Sequence, residues 1–310
     1  MTLIAEAPID APAAEAVMAR ARTENFPVAS RLLPARERKH LLAVYGFARL
    51  VDELGDAIGA GHATSQAGER TASSAAVERL AALDWIEQEL DLAIRGEAEH
   101  PLLVRLGATL RECSLPREPF VRLIEANRVD QRVSRYRTWT QLRGYCALSA
   151  DPVGEIVLGV FGLATPERIA LSDSICTALQ LTEHCQDVAE DLARGRVYLP
   201  AEDLERFGCE QADLARAHAS AALRAVLAFE VARARSLLAQ GAPLIAQLRG
   251  RPRLAVAAFA AGGHSALDAI ERARYDVLAG APRAGRAGQV LVLARTLRAG
   301  WSARARSAAL

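Results

Sequence analysis

Two acidic pairs stand out by their spacing. Asp52 and Asp56 close the stretch D-E-L-G-D, and Asp187 and Asp191 lie in L-T-E-H-C-Q-D-V-A-E-D, each pair four residues apart. On a helix, four residues advance about 6 Å and overshoot a full turn by about 40°, so both carboxylates of a pair leave on one side. Tyr45 and Arg49 extend the first stripe backward, and Gln180 and Glu183 extend the second. The neighbours of the first stripe are largely apolar, so the stripe is expected to face the fold or a cleft, where charges must be paired or bind a metal. Facing carboxylate pairs suit Mg²⁺, which takes octahedral oxygen ligands at about 2.0 to 2.1 Å, keeps several waters and binds through a few carboxylates plus substrate phosphate oxygens. Diphosphate leaves readily once cations neutralise its developing charge, and nearby Arg or Lys would help in the same way. The rest of such a cavity must be apolar and dry to hold a hydrocarbon chain and protect a carbocation. Two solvated acidic faces with nothing between them are the alternative.

The elements that must position these residues read as helices. Arg38 to Asp56 runs without Pro and places Leu41, Val44, Ala48 and Val51 at helical spacing. Residues 57–76 (AIGAGHATSQAGERTASSAA) shift to Gly, Ala, Ser and Thr, which predicts a flexible loop able to act as a lid before a helix over Val77 to Arg95. Further helices are predicted at Leu102 to Cys113, Pro119 to Asp130, Thr140 to Phe161, Pro166 to Leu192, Ala212 to Leu237, Pro243 to Leu248, Leu254 to Leu278 and Gln289 to Ala299. Nothing alternates at period two for long enough to build a sheet. With no solenoid period and no Ser- or Pro-rich linker, one all-α domain over residues 1–310 is the economical reading, with residues 1–20 loosely ordered and 300–310 a basic tail.

Composition agrees and narrows the field. Of 310 residues, 51% are hydrophobic but only 5% aromatic, and Ala, Leu and Arg dominate, a helix-former's composition. The 38 Lys+Arg against 37 Asp+Glu sum to +1, which removes the field a nucleic-acid binder needs. The five Cys are widely spaced without a C-x-x-C pair and read as reduced thiols of a cytosolic protein. The first twenty residues lack the pattern of a signal peptide, and Leu254 to Leu267 is too short to cross a bilayer. The six His show no zinc-site spacing; His184, three residues before Asp187, sits either beside the metal face or against a neighbouring helix. After Asp276 no acidic residue follows, while Arg283, Arg286, Arg295, Arg298, Arg304 and Arg306 do. This basic end is read either as a solvated helix end or as a surface for anionic lipid headgroups or a ligand diphosphate.

The longer motifs resemble a known family. N-F-P-V-A-S-R-L-L-P-A-R-E-R-K-H-L-L-A-V-Y-G-F-A-R-L-V-D-E-L-G-D (Asn25 to Asp56) and Q-D-V-A-E-D-L-A-R-G-R-V-Y-L-P-A-E-D-L-E-R-F-G (Gln186 to Gly208) resemble the squalene/phytoene synthase family of head-to-head prenyl transferases. R-Y-x-T-W-x-x-L-x-x-Y-C (Arg135 to Cys146), S-A-D-P-V-G-E (Ser149 to Glu155) and A-G-G-H-S-A-L-D-A-I-E-R-A-R-Y-D-V-L fit it too, so the resemblance covers roughly residues 24–297. It implies the all-α isoprenoid synthase (terpenoid synthase) fold, a single domain of antiparallel helices around a central cavity. It also implies Mg²⁺ held by Asp52, Asp56, Asp187 and Asp191, with an isoprenoid diphosphate as substrate. Tyr45, Arg49, Arg196 and Tyr198 match positions that hold or shield the diphosphate. Tyr145, Gln180 and Tyr275 match cavity-lining positions, where aromatic faces or amide oxygens stabilise passing positive charge. Asn25 and Phe26 of the opening motif, with Glu183, complete the substrate-binding expectation, and Tyr45 and Tyr145 join the four Asp as catalytic candidates.

Three departures from the family pattern stand out: Glu183 where many relatives carry Asn, Asn25 in place of Ser, and Gln186 in place of an Arg. The opening N-F-P-V-A-S-R-L-L-P and Q-D-V-A-E-D look most like the bacterial members that ionise presqualene diphosphate and quench the rearranged cation with water. No G-x-G-x-x-G stretch is present, in keeping with water rather than hydride as the quench. The other readings are a head-to-head transferase making presqualene diphosphate, squalene or phytoene, and a non-catalytic binding or assembly protein, whose degraded Asp motifs would contrast with the four Asp present here. Partners implied are the substrate, other squalene-pathway enzymes and, through the basic tail, the inner membrane face of an otherwise cytoplasmic protein; nucleic acid is excluded.

Overall fold

Leu41, Val44, Phe47, Leu50, Val51 and Leu54 recur on one side of a helix, and in the computed structural model they line the buried face of α2, Ala35–Asp56. The structure describes residues 12–19, 33–56, 70–283, 292–293 and 296–297. Asn25, Phe26, residues 57–69 of the predicted loop and the basic tail at Arg286, Arg295, Arg298, Arg304 and Arg306 lie outside the described residues. Among the described residues there is no strand, only an isolated parallel bridge between Arg135 and Val197. No described helix is long and apolar enough to cross a membrane. The chain divides into two compact units, Met1–Val133 with Ile156–Leu163, and Ser134–Glu155 with Ala164–Leu310.

In the first unit, α2 packs against α1 (Ala14–Ala19), α3 (Arg70–Arg95), α4 (Pro101–Cys113) and α5 (Glu118–Asp130). Phe47 meets Phe120 edge to face at 5.5 Å, which joins α2 to α5 through two fully buried rings. Gly107 lets α4 approach α3 so closely that a Cβ there would overlap the Ala93 carbonyl oxygen. On the outer side, Arg128 grips Asp84 and Glu87, while Arg117 grips Glu87 and Asp91, tying α5 and its start to α3.

The second unit is built on α8 (Pro166–Gln186) lying along α12 (Ala221–Gly241), with α6 (Trp139–Ser149) and α14 (Gly250–Arg272) also against α8. Thr138, Thr165 and Ser220 cap α6, α8 and α12, each side-chain oxygen accepting from a backbone N–H three residues on. Short helices α9 (Val188–Ala193), α10 (Ala201–Arg206), α11 (Gln211–Leu214) and α13 (Pro243–Gln247) fill the connections, and α7 (Asp151–Val160) follows α6. Arg233 on α12 donates to Asp203 at 2.9 Å and to the fully buried Glu230 at 2.6 Å, while its guanidinium lies over Trp139 and Phe229. Burial is the main cause that pushes the Glu230 carboxyl up to about 8, with Arg233 opposing it.

Several helix boundaries differ from the sequence reading. The helix predicted over Thr140 to Phe161 is two, because Pro152 has no N–H for the carbonyl four residues back, and α7 restarts with that proline in its first turn. The helix predicted over Pro166 to Leu192 breaks at Asp187, which has φ −102° and ψ 18°. Helix α3 begins at Arg70, seven residues before the expected Val77, so residues 70–76 of the predicted loop are helical. Ala212 to Leu237 is α11 and then α12, and α10 was not foreseen. Helix α14 stops at Arg272, before the expected Leu278, where Arg274 and Tyr275 take left-handed backbone (φ 53° and 60°).

Replacing Gly107 by Ala is expected to destabilise the fold by about 1 to 3 kcal/mol, because α3 and α4 must part to admit the methyl group. A melting temperature equal to the wild type would contradict that packing. The folded chain holds the Glu230 proton more tightly than the unfolded chain, so the resulting stability is complete below the ordinary carboxyl value of 4.5 and is lost as pH rises through about 8. The melting temperature of the wild type should therefore fall relative to Glu230→Gln across that window, and parallel pH profiles for the two would refute the assignment.

Candidate functional site

The first acidic motif ends α2. Asp52, Glu53 and Asp56 all fall in its last turns, with no basic residue there, against the preference of a helix C-terminus for cations. Carboxylates are worth about 0.3 to 1 kcal/mol less at this end than at the other, a local cost characteristic of functional positions. The apolar residues around the stripe predict that it faces the fold or a cleft; Asp52 and Asp56 are exposed and Tyr45 and Arg49 half-buried, which rules out the fold interior and leaves the cleft. The buried face of α2 is the opposite, apolar one. Arg49 donates to Glu53 at 3.2 Å. From α5, Asn127 donates its amide to Asp52 Oδ1 at 3.3 Å, and it sits so near Gly55 that a side chain there would displace it. Gln131 donates to the Gly55 carbonyl oxygen at 3.0 Å and accepts from Arg79 at 2.6 Å. Asn127 and Gln131 thus hold the end of α2, and neither carries a local signal, since each lies some 75 residues from the group it grips.

The second motif spans the break between α8 and α9. Asp187 caps α9 without a capping bond from its side chain, yet the Asp191 N–H still donates to the Asp187 carbonyl oxygen at 2.8 Å. The one-turn relation between the two carboxylates therefore survives the interruption. Burial raises the Asp187 carboxyl, Glu190 adds repulsion, and Arg194 and Arg283 partly offset both. Burial also pushes Asp191 up to about 7, helped by the charge of Asp187 and opposed by Arg194 and Arg196. Two half-buried carboxylates that resist ionising together, with arginines at hand, make a place where a cation would be stabilised. Among the described residues no group of three or more His, Cys, Asp or Glu side chains gathers around one point.

Beside this pair stands an aromatic cluster. Tyr136, Tyr145 and Tyr198 lie with ring centroids 5.4 to 5.8 Å apart, all three buried. His184 stacks on Tyr198 at 4.0 Å and 12°, tilts toward Tyr145 at 6.3 Å, and stands 4.0 Å from Asp191 Oδ2. Its other ring nitrogen is 3.4 Å from Gln180 Nε2. Burial holds the imidazole neutral, its pKa pushed down to about 3. His184, Asp191, Arg196, Tyr198 and Leu214 line a small recess. Of the residues expected at the site, the structure brings Tyr145, Gln180, Asp187, Asp191, Arg196 and Tyr198 together. Glu183 lies half-buried on α8, its carbonyl oxygen accepting from the Asp187 N–H at 2.9 Å. Tyr275 is half-buried in the left-handed turn after α14, where Asp276 anchors the chain by accepting from the Ala219 N–H and from Arg224. Gln186 donates to the Pro282 carbonyl oxygen at 2.5 Å, so the residue that replaces an expected Arg holds the chain beside Arg283.

Sequence reasoning passed over Tyr136 and left His184 open. Tyr136 sits within the R-Y-x-T-W motif, two residues before the cap of α6, and only the return of the chain at Tyr198 reveals it as part of the cluster. Asp151, buried at the start of α7, accepts from Thr177 at 2.8 Å and pairs with Arg143 at 2.8 Å, locking α6 and α7 to α8 behind Tyr145.

Comparison with known proteins bears on this arrangement. The squalene/phytoene synthase family model matches residues 19–295. A hydroxysqualene synthase of Rhodopseudomonas palustris is 36% identical over 229 residues, 74% of this chain and 72% of that one. A phytoene synthase of Arthrospira platensis is 32% identical over 271 residues, 82% of each. Among solved structures, a squalene synthase from Alicyclobacillus acidocaldarius is 43% identical with a TM-score of 0.72, covering 84% of this chain and 94% of that one. A dehydrosqualene synthase in complex with a ligand has a TM-score of 0.76 at 21% identity, covering 93% and 95%, and shares the all-α terpenoid synthase fold. With the family model spanning most of its length, the chain belongs to the squalene/phytoene synthase family of isoprenoid-synthesising enzymes.

Proposed function

We propose that this enzyme takes presqualene diphosphate, ionises its carbon–oxygen bond and quenches the rearranged cation with water, releasing hydroxysqualene and diphosphate as a carbon–oxygen lyase. The observation that carries the reading is the placing of Asp191, one turn from Asp187, and Arg196 in one recess with Tyr198, whose ring packs on Tyr145. Groups that receive a leaving anion there adjoin groups that favour a cation. The hydroxysqualene synthases of Rhodopseudomonas palustris and, at 35% identity, Sinorhizobium fredii support it.

Magnesium fits the donor set. Asp187 and Asp191 are hard oxygen donors one turn apart whose mutual repulsion a divalent ion relieves. An ion held by Asp187 and Asp191 would take its remaining ligands from water and diphosphate oxygens, the mixture Mg²⁺ favours. Asp52 and Asp56, exposed at the end of α2, are the corresponding pair of the first motif. The ion, when bound, neutralises charge on the departing diphosphate. The chain's own residues do the rest. Arg196 draws in the anion at the second motif, and Arg49 carries the cationic charge of the first. Tyr198, packed between His184 and Tyr136 and against Tyr145, gives the recess an aromatic wall, and Gln180 contacts His184 behind it. The balance is simple: the carbon–oxygen bond breaks with its electron pair leaving on diphosphate, a water oxygen bonds to the cation, and that water's proton passes to diphosphate or solvent. The basic tail after Asp276 is proposed to rest on anionic headgroups, where an apolar product departs.

A second reading, head-to-head condensation, is favoured by the match to phytoene synthase over 82% of this chain. Incubation with presqualene diphosphate and Mg²⁺ should yield hydroxysqualene in the lipid extract. Unchanged substrate would end the first reading, and a product from farnesyl or geranylgeranyl diphosphate alone would establish the second. Asp187→Ala and Asp52→Ala should each lower turnover by about 10²-fold or more while remaining folded, since each removes charge neutralisation in the transition state. Each should also lose the rise in melting temperature that Mg²⁺ with inorganic diphosphate gives the wild type. Full activity in either variant would remove that aspartate from the mechanism.

A further inference from the structure

We propose that His184 is a positioning residue of the second acidic motif, holding the Asp191 carboxylate and the Tyr198 ring in register with one another. The inference rests on the reading of that motif as a diphosphate site. A buried imidazole needs polar partners at its nitrogens whatever its role, so what matters is which partners they are. Here both nitrogens face polar groups, Nε2 toward Gln180 at 3.4 Å and Nδ1 toward Asp191 Oδ2 at 4.0 Å. The ring face is also used, lying parallel to Tyr198 with centroids 4.0 Å apart.

With the Gln180 amide turned so that its Nε2 faces His184 Nε2, that ring nitrogen accepts and the single proton of a neutral imidazole sits on Nδ1. That N–H is directed at Asp191. At 4.0 Å the separation exceeds a hydrogen bond, and a small turn of the carboxylate or one bridging water closes it. The two residues belong to different helices, His184 to the end of α8 and Asp191 to α9, with the break at Asp187 between them. His184 therefore reaches across the helix break in the motif. The same ring presses on Tyr198, which arrives from the segment after α9 and shares the recess with Asp191 and Arg196. A ligating carboxylate oriented by such a donor binds its ion more tightly, and removal of the orienting group typically costs about 10- to 100-fold in metal affinity.

Two substitutions separate positioning from packing. His184→Phe keeps a stacking ring and loses both nitrogens, whereas His184→Asn keeps a donor near Nδ1 and loses the ring. Half-saturating Mg²⁺ is read at fixed inorganic diphosphate from the melting temperature, with near-ultraviolet circular dichroism of the Tyr cluster as the control on packing. Relative to wild type, His184→Phe should keep the dichroism and raise half-saturating Mg²⁺ at least about tenfold. His184→Asn should alter the dichroism and stay within about threefold of wild type in Mg²⁺. Wild-type Mg²⁺ response in His184→Phe overturns the proposal, as does an equal loss in His184→Asn. Should His184→Phe not fold, His184→Leu, which also lacks both nitrogens, is read by the same tenfold threshold against His184→Asn. A wild type that shows no Mg²⁺ response at all rejects the diphosphate reading itself and the inference with it, before any variant is compared.

Discussion

Two like charges held one helical turn apart and half out of water are the constraint to which the second unit answers. Asp187 and Asp191 gain nothing from each other, and burial raises both carboxyls. A chain that placed them so for stability would be badly made, since a solvated pair costs far less. The surroundings are arranged to make the pair tolerable rather than to abolish it. Arg194, Arg196 and Arg283 lie close enough to favour the charged forms, and the helix breaks at Asp187 without losing the turn that separates the carboxylates.

The rest of that unit follows from keeping this pair and its aromatic neighbours in place. Glu230, Arg233 and Asp203 bind α12 to α10, which follows directly on the segment that carries Tyr198. Asp151, Arg143 and Thr177 do the same for Tyr145 on α6. Buried ionic groups of this kind contribute little net stability against an apolar core of equal volume, but each is costly to break singly. Their effect is to fix which groups stand next to which, and a site that must receive an anion beside a cation needs that more than it needs extra stability.

Much of this was legible in the chain. The two D-x-x-x-D stripes, the helical spacing through Leu41, Val44 and Val51, and the absence of period-two alternation lead to an all-α enzyme with two acidic motifs, and the fold and family agree. Helix ends were legible where a side chain signals them, as at Pro101 and the Thr165 cap. They were not where the decision belongs to the packing: α3 starts early at Arg70, α8 breaks at Asp187, and α14 ends in two left-handed residues that neither Arg274 nor Tyr275 announces.

By itself, then, the amino-acid sequence determined the helical class, the acidic pairs and the family, because periodicity and motif spacing are local and survive without knowledge of neighbours. Only the tertiary structure decided which side of α2 its acids occupy, that Asn127 and Gln131 hold the first motif from another helix, and that Tyr136, Tyr145, Tyr198 and His184 form one cluster beside Asp191. The reason is physical. Desolvation, ring stacking and hydrogen bonding act between atoms a few ångströms apart in space, and the residues concerned are separated by up to 76 positions along the chain.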